Sequence, residues 1–274
     1  MIKSPLRYPG GKSRAVKFLS GFIPPFNEFR EVFFGGGSLS FYLLQQYPDK
    51  KFIASDLNYE LYCFWQQLKE NKNDVVHGVQ HIYDLHKAEK GNKSGKNLFN
   101  QLVARRNDDL TEVQRAIDFF VLNRITFSGV VDSGGFSQGS FEGRFTQSAI
   151  DRLTKTSALI QSIDFCCEDY QHLVKKNGED VFLFLDPPYY TATKSKLYGK
   201  KGILHTQFDH EAMFETLKNS KHKWLITYDN SDFIRELYRE FYQLPWQLQY
   251  GMTTKKTDAN ELLIANYQLS NGKT

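Results

Sequence analysis

Apolar residues along this chain fall into short runs separated by polar or glycine-rich turns. FREVFF at 29–34 reads as a buried strand running into Gly35-Gly36-Gly37, with Ser38 as N-cap of the apolar run Leu39 to Leu44. KFIAS at 51–55 predicts a second strand ending at Asp56, followed by a helix from about Glu60 to Lys69. Strand, helix and strand in this order make a βαβ unit, hence a parallel sheet with helices on its faces. The middle of the chain differs: it is polar and mostly helical, with Val113, Ile117, Phe120 and Val121 at helical spacing. It continues into the glycine-rich stretch 128–145, which reads as a flexible hairpin or a surface loop. The α/β pattern then resumes with a strand at 181–185, a helix at 210–219 after Asp209, a strand at 224–228 and a helix at 232–240 after Ser231. Two late strands, near 244–250 and 261–268, flank the polar TTKKTDAN and predict a terminal hairpin. The expectation is an α/β domain formed by 1–70 and 156–274, interrupted by a helical insertion at 71–155.

At 274 residues the chain slightly exceeds the size at which one core stops growing, so a large domain with a smaller lobe, or two domains sharing a cleft, is expected. Hydrophobic residues at 41% and charged residues at 24% exclude disordered, collagen-like and coiled-coil classes. Aromatics reach 15%, enough for a core with some left to stack on flat ligands. The first twenty residues lack a signal-peptide pattern, and VFLFL and WLI are too short to span a bilayer. Cys63, Cys166 and Cys167 form neither a disulfide framework nor a set with zinc-ligand spacing. These features predict a cytoplasmic protein without membrane or metal. A net charge of +4 permits a nucleic-acid partner without demanding one.

Chemistry concentrates in a few strings. Asp186-Pro187-Pro188-Tyr189 directly follows the apolar strand VFLFL, and in an open α/β sheet ligands collect beyond the carboxyl ends of the strands. Two prolines make a stiff turn that holds a carboxylate, a bare carbonyl and an aromatic ring together. The Asp186 carboxylate and the Pro187 carbonyl suit the two hydrogens of an amino group on a planar base, with Tyr189 stacked on the ring. A proline-terminated strand with a capping Asp is the plainer reading of the tetrapeptide alone. Glu31 to Ser38 places glycines at a strand-to-helix turn, where a ligand approaches the backbone closely. Ser40 stands where a G-x-G-x-x-G dinucleotide pattern needs glycine, so that fingerprint is not met. Asp56, ending the next strand, suits a ribose hydroxyl and points to an adenosine-type cofactor. Arg7 to Ser13 ends in GKS, but Leu6 occupies the first glycine position of a phosphate loop, which argues against an ATPase. Tyr8 and Lys12 remain as an aromatic wall and a cation for a pocket.

Together these strings resemble the Dam-type family of N(6)-adenine-specific DNA methyltransferases. The family's aromatic-x-GGK is matched by Tyr8 to Lys12, its E-P-F-x-G-x-G by Glu31 to Gly37, its strand-end acid by Asp56 and its D-P-P-Y by Asp186 to Tyr189. The motifs stand in the family's order over nearly the whole chain. The resemblance implies a Rossmann-like S-adenosylmethionine-dependent methyltransferase sheet with a helical target-recognition insertion. It implies cofactor contacts at Tyr8, Lys12, Glu31, Gly35, Gly37, Asp56 and Asp186. It adds Asp169 and Tyr170, which match a G-D-F element with Glu168 in place of the glycine. Glu261 to Ile264 resembles the closing strand, with Lys255 and Lys256 before it.

The implied reaction is methyl transfer from S-adenosylmethionine to the 6-amino group of a flipped adenine in double-stranded DNA. Asp186, Pro187, Pro188 and Tyr189 would be catalytic, and no metal would be needed. Asn123 to Gly129 and Gly143-Arg144-Phe145 align with the family's recognition segment. Arg124, Phe127 and Arg144 are therefore candidate DNA contacts, with a structural ion pair as the other reading of either arginine. Lys194, Lys196, Lys200 and Lys201 follow the DPPY turn with no acid until Asp209, which fits either a phosphate grip or a solvated loop. Family members that read GATC follow the glycine with a Leu-Tyr/Cys-Arg run, whereas this chain has Val130-Val131-Asp132. GATC is accordingly the family default and not a deduction. The resemblance also allows a restriction endonuclease as partner. Alternatives are an RNA or protein-amide acceptor, against which Asp186 argues, and a catalytically silent DNA-binding module.

Overall fold

Short stretches rich in Phe, Leu, Ile and Val assemble one mixed sheet in the computed structural model, which describes residues 1–88, 93–191, 208–248 and 259–270. Its strands are β1 (Glu28–Glu31), β2 (Lys51–Ser55), β3 (Ile163–Cys166), β4 (Val181–Leu185), β5 (Lys223–Asp229), β6 (Tyr242–Leu248) and β7 (Ala259–Ala265). They lie in the order β3-β2-β1-β4-β5-β7-β6. β1 to β5 pair in parallel, while β7 is antiparallel to both β5 and β6. The chain travels outward from β1 to β3, then returns to β4 on the other side of β1. The strand order therefore reverses between β1 and β4, and a crevice opens there at the carboxyl ends.

Alternation along the strands divides the core. Phe182 and Phe184 of β4 join Phe29, Phe52 and Leu225 on one face; Val181, Leu183 and Leu185 join Val32, Ile53 and Ile226 on the other. All five residues of β4 are buried, as expected for a central parallel strand covered on both sides. Each such side chain contributes roughly 1.5–3 kcal/mol relative to exposure. Arg30 is fully buried in β1, where its guanidinium donates to Glu28 and to the carbonyls of Leu173, Lys176 and Asn177. A buried charge is tolerable when its donors are satisfied in this way, and here they tie the sheet to a neighbouring helix.

Helices α1 (Val16–Ser20), α2 (Ser38–Leu44) and α3 (Tyr59–Glu70) pack on the first face; α9 (Tyr170–Lys175), α10 (His210–Lys218) and α11 (Asp232–Leu237) pack on the second. Between them run α4 (Lys72–Ala88), α5 (Ser94–Ala104), α6 (Glu112–Ile125), α7 (Gln138–Gly143) and α8 (Gln147–Leu159). α6 begins with a capping box formed by Thr111 and Gln114 and lies on α3, with Phe64 stacked on Phe120 at 5.9 Å. Val75, Leu98, Phe120 and Phe145 extend the core of the first face, so the helical segment shares that core.

The structure modifies the sequence expectations in several places. β1 ends at Glu31 and not at residue 34, because the chain bends toward Gly35, whose φ is +49°. α2 is capped by Gly37 at φ +63°, and Ser38 is its first helical residue. α11 stops at Leu237, short of residue 240. The stretch 128–145 is neither a flexible hairpin nor a mere surface loop. It contains α7, and it buries Val130, Val131, Phe141 and Phe145. β3 was not anticipated, because IDFC is short and buried at Ile163 alone. The late hairpin forms, but β7 enters between β5 and β6. The TTKKTDAN turn, with Lys255 and Lys256, falls mostly outside the described residues.

Candidate functional site

At the end of β1 the chain turns through Gly35-Gly36-Gly37 into α2. A Cβ on Gly35 would lie 2.7 Å from Cε1 of Tyr8, and one on Gly37 would lie 2.3 Å from Cζ of Phe34. The glycines therefore seat this chain's own aromatic rings as well as making the turn. Glu31 is 5% exposed and accepts from the backbone N–H and hydroxyl of Ser40, closing the first turn of α2. Ser40, which breaks the dinucleotide pattern, is thus the partner of Glu31. Burial pushes the Glu31 carboxyl up to about 8, with Asp186 and Asp56 adding to the rise against the Ser40 hydrogen bonds. Asp56 directly follows β2, with Oδ2 accepting from Gly35 N–H at 2.9 Å and Oδ1 from Asn58 N–H at 3.0 Å. Burial raises its carboxyl as well, and the neighbouring Asp132 adds to the effect.

Across the crevice, β4 delivers Asp186. Lys12, 5% exposed, donates to both oxygens of Asp186 at 2.8 and 3.0 Å, and Thr227 of β5 donates to Oδ1 at 2.6 Å. An ionised carboxylate offers about four lone-pair sites, so Oδ2 keeps acceptor capacity beyond these three bonds. Lys12 also stands 5.0 Å over the Tyr189 ring and 3.9 Å from the Glu261 carboxylate. The Tyr189 hydroxyl donates to Glu261 at 2.8 Å, and the Tyr190 N–H donates to Asp229 at 2.8 Å. The tetrapeptide is thus held from β5 and β7 as well as by its prolines. Thr227, Asp229 and Glu261 were not singled out as site residues, since each contact joins strands that only the folded sheet brings together.

One cavity of about 630 Å³ joins these groups. Tyr8, Lys12, Glu31, Gly35, Gly37, Asp56, Asp169, Tyr170 and the whole Asp186–Tyr189 turn line it. Phe33, stacked on Tyr170 at 5.9 Å, and Phe208 add an aromatic wall that the motifs did not reveal. Asp169 caps α9 by accepting from Gln171 N–H. A second cavity, of about 680 Å³, lies at the amino ends of the strands beside Pro24, Val181 and Lys223, away from all these groups. Among the described residues, no set of three His, Cys, Asp or Glu side chains is placed to hold a metal, and no helix is long and apolar enough to cross a membrane.

The segment Asn123 to Gly129 interlocks with the N-terminal motif. Asn123 accepts from Arg7 N–H and donates to the carbonyls of Arg7 and Gly129, while a Cβ on Gly129 would lie 2.3 Å from the Arg7 carbonyl. Arg124 is 5% exposed and donates to the carbonyls of Arg144 and Pro5, so in this structure it ties the segment internally. Among the described residues it has no carboxylate partner; burial, with repulsion from Arg152, Arg7 and Arg144, lowers its guanidinium to about 9. Phe127 is 71% exposed, and Arg144 is exposed. Lys194, Lys196, Lys200 and Lys201 lie outside the described residues.

Residues 8–252 match the model of a family described as D12 class N6 adenine-specific DNA methyltransferase. The type II methyltransferase M.CviBI of Paramecium bursaria Chlorella virus NC1A is 25% identical over 283 residues, covering 97% of this chain and 100% of that protein. The type II methyltransferase M.MjaIII of Methanocaldococcus jannaschii is 24% identical over 294 residues, covering 97% and 99%. A DNA adenine methylase of Vibrio cholerae is 23% identical over 245 residues, covering 85% and 84%.

Proposed function

This chain belongs to the D12 class of N6 adenine-specific DNA methyltransferases, and from that premise we propose that it uses S-adenosylmethionine to methylate the 6-amino group of a flipped adenine. The observation that carries this reading is the single cavity at the strand-order reversal, where acids, aromatics and the DPPY turn converge. The donor set fits such a cofactor. Asp56 and Asp169 suit ribose and adenine polar groups, Tyr170 and Phe33 suit the adenine face, and Glu31 and Lys12 form the floor beside Asp186. When bound, S-adenosylmethionine supplies a methyl group on a sulfonium centre. Asp186 Oδ2 and the Pro187 carbonyl accept the two amino hydrogens of the target adenine and hold its lone pair out of the ring plane. Tyr189 offers its ring as the stacking surface, while Lys12 and Thr227 fix the Asp186 carboxylate. Alignment and a preorganised electrostatic environment provide the rate.

The helical segment 71–155 serves target recognition in this reading, with Phe127 and Arg144 facing the duplex. GATC is kept as the default target. The type II names of two relatives support a restriction endonuclease as companion. The test is incubation with methyl-labelled S-adenosylmethionine and unmethylated genomic DNA, followed by digestion to nucleosides and sequencing of the modified sites. Label in 6-methyladenine is expected. Label absent from DNA and present in RNA or protein would transfer the reading to those acceptors.

A further inference from the structure

The three residues that depart from the family pattern, Val130-Val131-Asp132, do not face outward. Both valines are 8% exposed, as is the Asp132 side chain. Asp132 Oδ1 accepts from Nη2 of Arg106 at 2.8 Å, and Nη1 of the same arginine reaches the Val131 carbonyl at 3.2 Å. Asp132 Oδ2 accepts from the Asn58 amide at 3.2 Å. Asn58 works in three directions. Its amide oxygen caps α3, its amide nitrogen holds Asp132, and its backbone N–H donates to Asp56 at 3.0 Å. Asp56 in turn holds the N–H of Gly35. An unbroken series therefore runs from Arg106 through Asp132, Asn58 and Asp56 to the glycine turn, joining the recognition loop to the cavity.

We propose that Asp132 is a positioning residue that couples occupancy of the cavity to the posture of the recognition loop, so that a filled cavity tightens DNA binding. The proposal rests on the reading that the cavity takes an S-adenosyl cofactor. Asp132 and Asp56 are two carboxylates bridged by one asparagine, and the neighbouring Asp132 adds to the burial that disfavours the charge of Asp56. A hydroxyl donated to Asp56 by a ligand stabilises its charge against that cost and steadies Asn58, which in turn holds Asp132. By linkage, DNA that steadies the loop must strengthen cofactor binding by the same factor. A purely structural brace would lower stability or both affinities on removal but would leave their linkage unchanged.

The experiment is calorimetric titration of the full chain with S-adenosylhomocysteine, with and without saturating sheared unmethylated genomic DNA. Wild type is expected to bind the nucleoside at least about fivefold more tightly with DNA present. Asp132→Ala should bring that factor to within about twofold of unity. Asp132→Asn, close to isosteric, removes the charge held by Arg106 and decides alone if the alanine variant does not fold: a factor cut by half or more supports the coupling, and the wild-type factor overturns it. A wild-type factor near unity also overturns it while leaving the cofactor reading intact. Wild type that does not bind S-adenosylhomocysteine sinks the cofactor reading, and the coupling with it.

Discussion

Thr227 shows how one hydroxyl bears on the chemistry. It donates to the Asp186 oxygen that Lys12 also holds, so the carboxylate is gripped from β5 and from the N-terminal loop. Thr227→Val keeps the shape and removes the bond. A hydrogen bond to a charged group is worth about 1.5–3 kcal/mol, which is roughly a 10- to 100-fold loss in kcat if it serves the transition state alone. Steady-state methylation kinetics with DNA affinity measured in parallel would check this, and an unchanged kcat would remove Thr227 from the site. Glu31 makes a different prediction. Its carboxyl is raised from 4.5 to about 8, so between those values the folded chain holds a proton that the unfolded chain has lost. The associated stability is full below about pH 4 and falls as pH rises through the folded value. Glu31→Gln should therefore gain stability relative to wild type from pH 5 to 8 in the cofactor-free protein. Parallel melting curves for the two proteins across that range would contradict it. The motif residues themselves were legible from the sequence, since a glycine turn and a DPPY string carry their own chemistry. Their supports were not: Thr227, Asp229 and Glu261 are unremarkable strand residues until pairing of β4, β5 and β7 brings them to the turn.

Elements were readable where pattern and punctuation agreed. VFLFL, followed by two prolines, was bound to end as a buried strand beneath a stiff turn, and β4 is that strand. IDFC had neither length nor alternation, and its strand character comes from pairing with β2. In the stretch 128–145 a glycine serves close packing and not chain freedom. Gly129 is there for close approach to Arg7, and Gly95 leaves room for the Phe141 ring. Nothing local to Arg124 reveals that Pro5 and Arg144 offer it carbonyls. The glycine turn gives the element-scale prediction. Gly37→Ala places a methyl at φ +63° against the Phe34 ring, combining backbone strain with overpacking. A loss of about 1–3 kcal/mol in denaturant unfolding is expected, together with weaker S-adenosylhomocysteine binding. Wild-type values for both would show that the turn relaxes freely.

At the scale of the whole molecule, charge distribution matters more than the net +4. Arg124 is repelled by Arg7, Arg144 and Arg152, and Arg7 by Arg144, around the segment 123–145. A polyanion is the natural relief for such a group. Arg144→Ala should weaken DNA binding uniformly across sequences and reduce the slope of log affinity against log salt by about one. An unchanged slope in filter binding across salt concentrations would place Arg144 off the phosphates. The sheet has a further consequence, set by time and not by charge. β7 follows β5 and β6 in the chain yet lies between them, and it carries Glu261, the partner of the Tyr189 hydroxyl. On the ribosome, β6 has no neighbour to join until β7 emerges and slots in beside β5. The DPPY turn thus receives its Glu261 anchor only after the glycine turn, Asp56 and the turn itself have all been synthesised.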